Sequence, residues 1–152
     1  MSVGVSVTTK DSKKYLIKFL LGTDAVHGDQ HTVGNVLFPH NIGLSCSHNP
    51  GNFENVGYWT KEGIKKSGFN YAFAPCVAVA HNPQWGRTYE AMGQEDNYIE
   101  LYAKSYVKGL QDVSSGKIRG VLGSAKHFIG DGSTKYGANE GSSTVLNFKN
   151  YI

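Results

Sequence analysis

The sequence predicts an α/β fold in which parallel strands alternate with helices. Three short apolar segments, each followed by polar or glycine-rich residues, are typical of strands buried on both faces of a parallel sheet. Two longer segments between them have apolar residues every three or four positions, which is typical of amphipathic helices. The order strand, helix, strand, helix, strand makes the strands parallel neighbours, because such crossover connections are right-handed.

Each predicted strand is followed by polar or charged side chains. They cover residues 15–21, 69–79 and 120–125. Asp24 follows the first strand, Arg87 lies in the loop after the second, and Lys126 and His127 follow the third. In sheets of this kind ligands bind beyond the carboxyl ends of the strands, so these four side chains form a candidate site.

The predicted helices cover about 50–67 and 97–112. Asn49 is a suitable N-cap for the first, and Pro50 suits its first position because that residue needs no backbone donor. The second helix follows a loop over 84–96 and ends before the turn-forming run 114–116.

Length and composition fit a single domain over 1–152. A complete eight-stranded barrel normally needs about 200 residues or more, typically about 250, so 152 residues provide only part of one. The net charge of +3 is spread along the chain without a basic run interleaved with aromatics, which argues against nucleic acid as a partner. The amino-terminal residues lack the apolar core of a signal peptide and no segment is apolar enough to span a bilayer, so the sequence indicates no compartment.

Neither a metal nor another cofactor is predicted. Cys46 and Cys76 lie far apart with no CxxC motif, which favours two buried apolar side chains over a disulfide or a zinc site. His27, His31 and His40 could bind a metal if the first two shared a helical face, but the glycines and the proline among them argue against a helix.

The candidate site suits a neutral polyhydroxylated ligand. Sugar hydroxyls both donate and accept hydrogen bonds, and charged side chains make the strongest ones. Asp24 would accept, whereas Arg87, Lys126 and His127 would donate, and Trp85 would offer an apolar face to a sugar ring. Taken singly, each residue also has a structural explanation, such as a turn cap or a satisfied ion pair.

Five sequence blocks in this order resemble family-three glycoside hydrolases of the β-glucosidase and exo-β-glucanase type. The blocks are Gly22–Gly28, Phe38–Leu44, Phe73–Ala80, Trp85–Glu90 and Ala125–Gly132. The resemblance covers about residues 15–145. It implies that the chain is part of a TIM-like (β/α) barrel, the amino-terminal domain of that family.

The resemblance also implies roles for seven residues. Four match positions that hold the hydroxyls of the non-reducing-end glucosyl unit of a β-glucoside or β-glucan oligosaccharide: Asp24, Arg87, Lys126 and His127. Three match positions expected to support them: Glu90, Asp131 and His27.

No catalytic residue is assigned in this chain. The family retains anomeric configuration, which requires two carboxyl groups about 5 Å apart. Its nucleophilic aspartate lies in a Ser-Asp motif, and no Ser-Asp dipeptide occurs here. A second branch of the family uses an Asp-x-His dyad, but the corresponding loop, 133–140, has no histidine, so the glucosidase branch is favoured. We therefore expect the chain alone to be inactive.

Three hypotheses remain open from the sequence. The chain is part of a glucoside-hydrolysing enzyme, a non-catalytic sugar-binding or structural subunit, or an incomplete gene product that aggregates in isolation. An open partial barrel exposes strand edges and apolar surface, so another chain that completes the barrel is an expected partner in the second case.

Overall fold

A computed structural model describes residues 4–11, 13–127 and 130–138. The strands are β1 (Gly4–Thr8), β2 (Lys14–Lys18), β3 (Gly22–Thr23), β4 (Tyr71–Ala72), β5 (Val113–Ser114), β6 (Lys117–Ile118) and β7 (Leu122–Gly123). The helices are α1 (Asn41–Ser45), α2 (Pro50–Lys66) and α3 (Asp96–Gln111), and two short 3-10 helices cover Thr88–Glu90 and Lys135–Gly137.

The central sheet is parallel and has the order β3, β4, β7. Its hydrogen bonding continues past the strand ends, because Phe73 N–H donates to Thr23 O and a parallel bridge joins Cys76 to Lys126. The predicted α/β class with parallel strands is therefore confirmed. Within the described residues the sheet is open, and a closed barrel is not formed.

Helices α2 and α3 cover one face of this sheet and agree with their predicted bounds to within one residue at each end. The Asn49 side chain caps α2 by accepting from the Gly51 N–H. The two helices approach unusually closely, since a Cβ on Gly57 would lie 2.2 Å from Tyr106 O and one on Gly109 would lie 2.0 Å from Glu54 O. Glycine is therefore required at both crossing positions.

The main core fills the space between these helices and the sheet. Its buried members include Phe53, Val56, Ile64, Ala72, Tyr106, Leu110 and Val121. Tyr106 also donates a hydrogen bond of 2.9 Å from its hydroxyl to Ala25 O. Helix α3 is thereby connected to the loop that follows β3, where the candidate site begins.

The prediction of a buried parallel strand over 15–21 is wrong for most of that range. Residues 14–18 form β2, which pairs antiparallel with β1, and the parallel strand begins only at Gly22. The cause is the alternation of Val5 and Val7 with polar residues, a pattern with the period of two that strands have. That pattern supplies β2 with a neighbouring strand, and Leu16 is left exposed.

The face of the sheet away from the helices is open among the described residues. Phe73 projects from it and is exposed, and Leu20 and Leu21, which precede β3, are exposed as well. Strands with both faces covered are the rule in parallel sheets. This face therefore has the properties of a surface that another part of a barrel would cover.

The cysteines differ from each other. Both are free thiols; Cys76 is buried as predicted, whereas Cys46 is exposed because it lies at the end of the short helix α1. None of the helices that the structure describes is long and apolar enough to cross a membrane.

Candidate functional site

A polar cavity of about 360 Å³ lies beyond the carboxyl ends of the sheet strands. It is lined by Asp24, Val26, His27, Gln30, His40, Arg87, Tyr89, Glu90, Lys126 and His127. The parallel order of β3, β4 and β7 brings the loops after all three strands to one edge, which explains how residues up to 102 positions apart come into contact.

An ion pair between Lys126 and Asp24 connects the two outer strands of the sheet. Lys126 Nζ lies 2.8 Å from Asp24 Oδ1. The ammonium is largely buried, whereas the carboxylate is about half exposed towards the cavity. Asp24 Oδ2 and the remaining N–H groups of Lys126 are therefore positioned to bond a ligand.

Arg87 and Glu90 form a bidentate pair around the first 3-10 helix. Arg87 Nε lies 2.8 Å from Glu90 Oε1, and Nη2 lies 2.7 Å from Oε2. Buried Asn41 holds the same segment by donating to Glu90 O at 2.8 Å. Burial raises the pKa of Glu90, but the hydrogen bond and charge of Arg87 outweigh burial and lower it overall. The pair is thus charged at neutral pH.

His127 lies between Arg87 and Asp131. Its Nδ1 is 2.7 Å from Asp131 Oδ2, and its Nε2 is 3.3 Å from Arg87 Nη1. Since the guanidinium only donates, a neutral His127 carries its proton on Nδ1, donates to the carboxylate and accepts from Arg87. Asp131 does not line the cavity, so its contact with the site is through the imidazole.

A second wall of the cavity is aromatic. The rings of His27 and His40 are in contact, with centroids 3.9 Å apart and planes tilted by 32°, and the His40 and Tyr89 rings meet edge to face at 4.7 Å. His27 Nδ1 donates to Phe38 O at 2.7 Å, which closes the loop between them. Burial, and repulsion from the His27 imidazole if both rings were protonated, lower the pKa of His40 although Glu90 opposes them, so His40 is neutral at physiological pH.

The structure brings six of the seven predicted site residues to the cavity wall, and Asp131 lies directly behind it. Their roles in sugar binding stay a prediction. The expectation that Trp85 faces a sugar ring is wrong: Trp85 is only 2% exposed and packs in a second buried cluster with Val26 and Cys76. Small alanines around the indole leave it room to be buried there.

Sequence reasoning missed three lining residues with polar side chains, besides the apolar Val26. Gln30, His40 and Tyr89 belong to the cavity, and Tyr89 offers the exposed aromatic side chain that was expected of Trp85. A signal existed for two of them, since His40 lies in one of the five sequence blocks and Tyr89 stands beside Glu90 in another. Neither position shows from sequence spacing alone that it faces the site.

The charges of the cavity wall are balanced. Asp24 and Glu90 contribute two negative charges, and Lys126 and Arg87 contribute two positive ones, each paired with its neighbour. Such a surface can make charge-assisted hydrogen bonds without favouring an anion or a cation. His127 of this wall, together with Cys76 and Asp131 behind it, forms the described group whose ligand atoms could surround a metal ion.

Fold and site together define part of a parallel α/β protein that has a polar, charge-balanced ligand cavity at the carboxyl edge of its sheet. The protein-family model that describes the glycosyl hydrolase family 3 N-terminal domain matches residues 3–147 of the sequence. The chain therefore belongs to this family of glycoside hydrolases, and the resemblance found in the sequence is confirmed.

Individual relatives support the same assignment. The chain is 34% identical over 125 residues to the periplasmic beta-glucosidase of Salmonella typhimurium, which covers 82% of this chain and 15% of that protein. It is 29% identical to the lysosomal beta glucosidase of Dictyostelium discoideum over 119 residues, or 75% of this chain and 14% of that one.

Among solved structures, a Q683A mutant of the exo-1,3/1,4-beta-glucanase ExoP from a Pseudoalteromonas species superimposes with a TM-score of 0.73 at 35% identity. That alignment covers 80% of this chain and 20% of the glucanase. The chain thus spans about a fifth or less of the length of these relatives.

Proposed function

We propose that the cavity binds the non-reducing-end glucosyl unit of a β-glucoside or β-glucan oligosaccharide. Asp24, Arg87, Lys126 and His127 hold the sugar hydroxyls, while Glu90, Asp131 and His27 keep them in place. The charge balance of the cavity wall supports this proposal most directly, because a neutral sugar needs many donors and acceptors and no net charge. The names of the relatives, two β-glucosidases and an exo-β-glucanase, support glucose as the bound unit.

In this proposal each ion pair presents both kinds of hydrogen-bonding group to the ligand. Asp24 accepts from one hydroxyl while Lys126 donates to another, so two neighbouring hydroxyls can be bound together. Arg87 is held by two bonds to Glu90 and is therefore already oriented before the ligand arrives. Preorganisation of this kind reduces the entropy cost of binding.

The proposed reaction is retaining hydrolysis of O-glycosyl bonds, with this chain supplying the sugar-binding part. Retention requires a nucleophilic carboxylate and an acid/base carboxyl group about 5 Å from it. The carboxylates of the cavity wall, Asp24 and Glu90, are each engaged with a cation. We therefore assign them binding and supporting roles, and we expect the 152-residue chain on its own to bind without hydrolysing.

Calorimetric titration of the purified chain with glucose and with the iminosugar 1-deoxynojirimycin tests this proposal. We expect binding that is lost in Asp24→Asn, which keeps the shape of the side chain and removes its charge. Glu100→Gln is the matched control, because Glu100 is exposed on α3 and lies outside the cavity lining. Binding that survives in Asp24→Asn, or its absence in a folded wild-type chain, would contradict the assignment.

A structural subunit is the second candidate function, and the open face of the sheet supports it. Exposed Phe73, Leu20 and Leu21 form an apolar surface where a further part of a barrel, from this or another chain, would pack. A partner that completes the barrel is thus part of this proposal. Sedimentation of the purified chain tests it: self-association or co-purification of a barrel-completing chain supports the role, and a stable monomer with cooperative unfolding contradicts it.

A further inference from the structure

Three side chains of different chemistry meet at the edge of the cavity, where His127 is part of the wall and Cys76 and Asp131 lie behind it. Cys76, His127 and Asp131 place a sulfur, a ring nitrogen and a carboxylate oxygen within 4.8 Å of one another. Sugar binding as proposed above gives the Cys76 thiol no role. We propose that these three residues form a binding site for a thiophilic divalent cation of the Zn²⁺ or Cd²⁺ type.

The backbone fixes two of these ligands relative to each other. Cys76 forms a parallel bridge with Lys126, the residue next to His127. The bridge consists of two hydrogen bonds, from Val77 N–H to Lys126 O at 2.8 Å and from Lys126 N–H to Pro75 O at 3.0 Å. The thiol and the imidazole therefore come from neighbouring strand ends and are held close without any metal present.

The third ligand is held by a tight turn. Asp131 lies between Gly130 and Gly132, which both have positive φ angles, of 84° and 85°. A Cβ on Gly132 would lie 2.5 Å from Val79 O, so the turn packs directly against the loop that follows Cys76. The carboxylate reaches the imidazole from this turn, with Oδ2 at 2.7 Å from Nδ1.

The donor set selects the class of cation. Thiolate, imidazole and carboxylate are all zinc ligands, and a thiolate favours zinc or cadmium over magnesium and calcium. Three protein ligands leave one position of a tetrahedral ion open. Access is from the cavity, because the His127 side chain is 40% exposed there while Cys76 is fully buried behind it.

Charge and proton balance permit binding. The cation displaces the thiol proton to solvent, and the Cys76 thiolate together with the Asp131 carboxylate then neutralises its two positive charges. The ring proton of His127 moves from Nδ1 to Nε2, which removes the acceptor that Arg87 now uses. The nearby cations Arg87 and Lys126 are each already paired with a carboxylate, which reduces their repulsion of the ion.

Titration of the full chain with Cd²⁺, followed by the ultraviolet thiolate-to-cadmium absorption band, tests the site. We expect one equivalent to bind with this band, and Cys76→Ala to lose the band and at least roughly tenfold in affinity. The only other cysteine provides a matched control, since Cys46 is exposed and its Cys46→Ala variant should bind as wild type does. The readout does not involve sugar, so its outcome is separate from that of the proposed function.

Asp131→Asn is the second variant and decides the question even if Cys76→Ala fails to fold. It keeps the thiol and the size of the side chain, and we expect roughly tenfold weaker Cd²⁺ binding because a charged ligand is lost. A band that disappears in Cys46→Ala, the absence of a band in the wild type, or unchanged affinity in Asp131→Asn would each overturn the proposal.

Discussion

Glu90→Gln tests whether the bidentate pair holds Arg87 in place. The carboxylate accepts two hydrogen bonds, of 2.8 and 2.7 Å, but a glutamine has one oxygen and would direct an amide group at the second donor. A hydrogen bond to a charged group contributes about 1.5–3 kcal/mol. Because the Arg87 side chain is 25% exposed, water replaces part of the loss, and we expect unfolding free energy to fall by roughly 2 kcal/mol.

Urea unfolding at neutral pH, followed by circular dichroism, measures this change. Glu100→Gln is again the control, because Glu100 and its partner Lys104 are both largely exposed and such surface pairs add little to stability. If Glu90→Gln unfolds at the same urea concentration as Glu100→Gln, the Arg87–Glu90 pair stabilises the fold no more than a surface ion pair does. The inference that Glu90 orients Arg87 would then fail.

The stability difference between the wild type and Glu90→Gln should also depend on pH. Burial raises the pKa of Glu90, but the hydrogen bond and charge of Arg87 more than offset it, so the folded-state pKa lies below the ordinary 4.5. A carboxyl group with a depressed pKa stabilises the fold above its unfolded-state pKa, and this contribution is lost as the pH falls through the folded-state pKa. The stability difference between wild type and Glu90→Gln should therefore be constant near neutral pH and shrink below about pH 4.5.

Three further predictions concern stability and are measured by urea or thermal unfolding. Gly57→Ala should cost roughly 1–3 kcal/mol, because the new Cβ would lie 2.2 Å from Tyr106 O. Gly63→Ala on the same helix meets only ordinary contacts and should gain up to about 1 kcal/mol; equal effects would refute the close-packing argument. Asn49→Ala should lower the free energy of unfolding by about 1 kcal/mol because the α2 cap is lost. An unchanged free energy of unfolding would mean that the cap does not stabilise the fold. Burial raises the pKa of Asp29, but hydrogen bonds such as that from the Ser67 hydroxyl lower it overall. The wild type should therefore lose stability as the pH falls below about pH 4, and Asp29→Asn should lose less of it. An equal loss of stability in the two proteins would contradict this.

The two long helices were predictable because their signals are local. The Asn49 cap, Pro50 at the first helical position and the spacing of apolar residues all lie within the segment that they describe. The grouping of Asp24 and Lys126 was predictable for a different reason. Parallel strands end at one edge, so the strand order alone brings together residues that follow different strands.

What the sequence could not provide depends on tertiary packing. An apolar run such as 15–21 looks the same whether its neighbour is parallel or antiparallel, and only pairing with β1 decides between them. From the sequence, Trp85 is a reasonable candidate for an aromatic ring that contacts a sugar. The structure instead buries its indole among the small residues Ala78, Ala80 and Ala91. His40 enters the cavity wall because its ring packs against that of His27, a contact between two ends of one loop.

The ion pair between Lys126 and Asp24 has a consequence for folding. Its partners are 102 positions apart and follow the two outer strands, so the cavity is complete only when β4 lies between β3 and β7. Contacts of such high sequence separation have a high entropy cost, because a long loop must be closed before they stabilise the fold. A ligand that bridges this pair binds only the fully assembled sheet, and it would therefore shift the folding equilibrium towards that state by an amount that grows with its concentration.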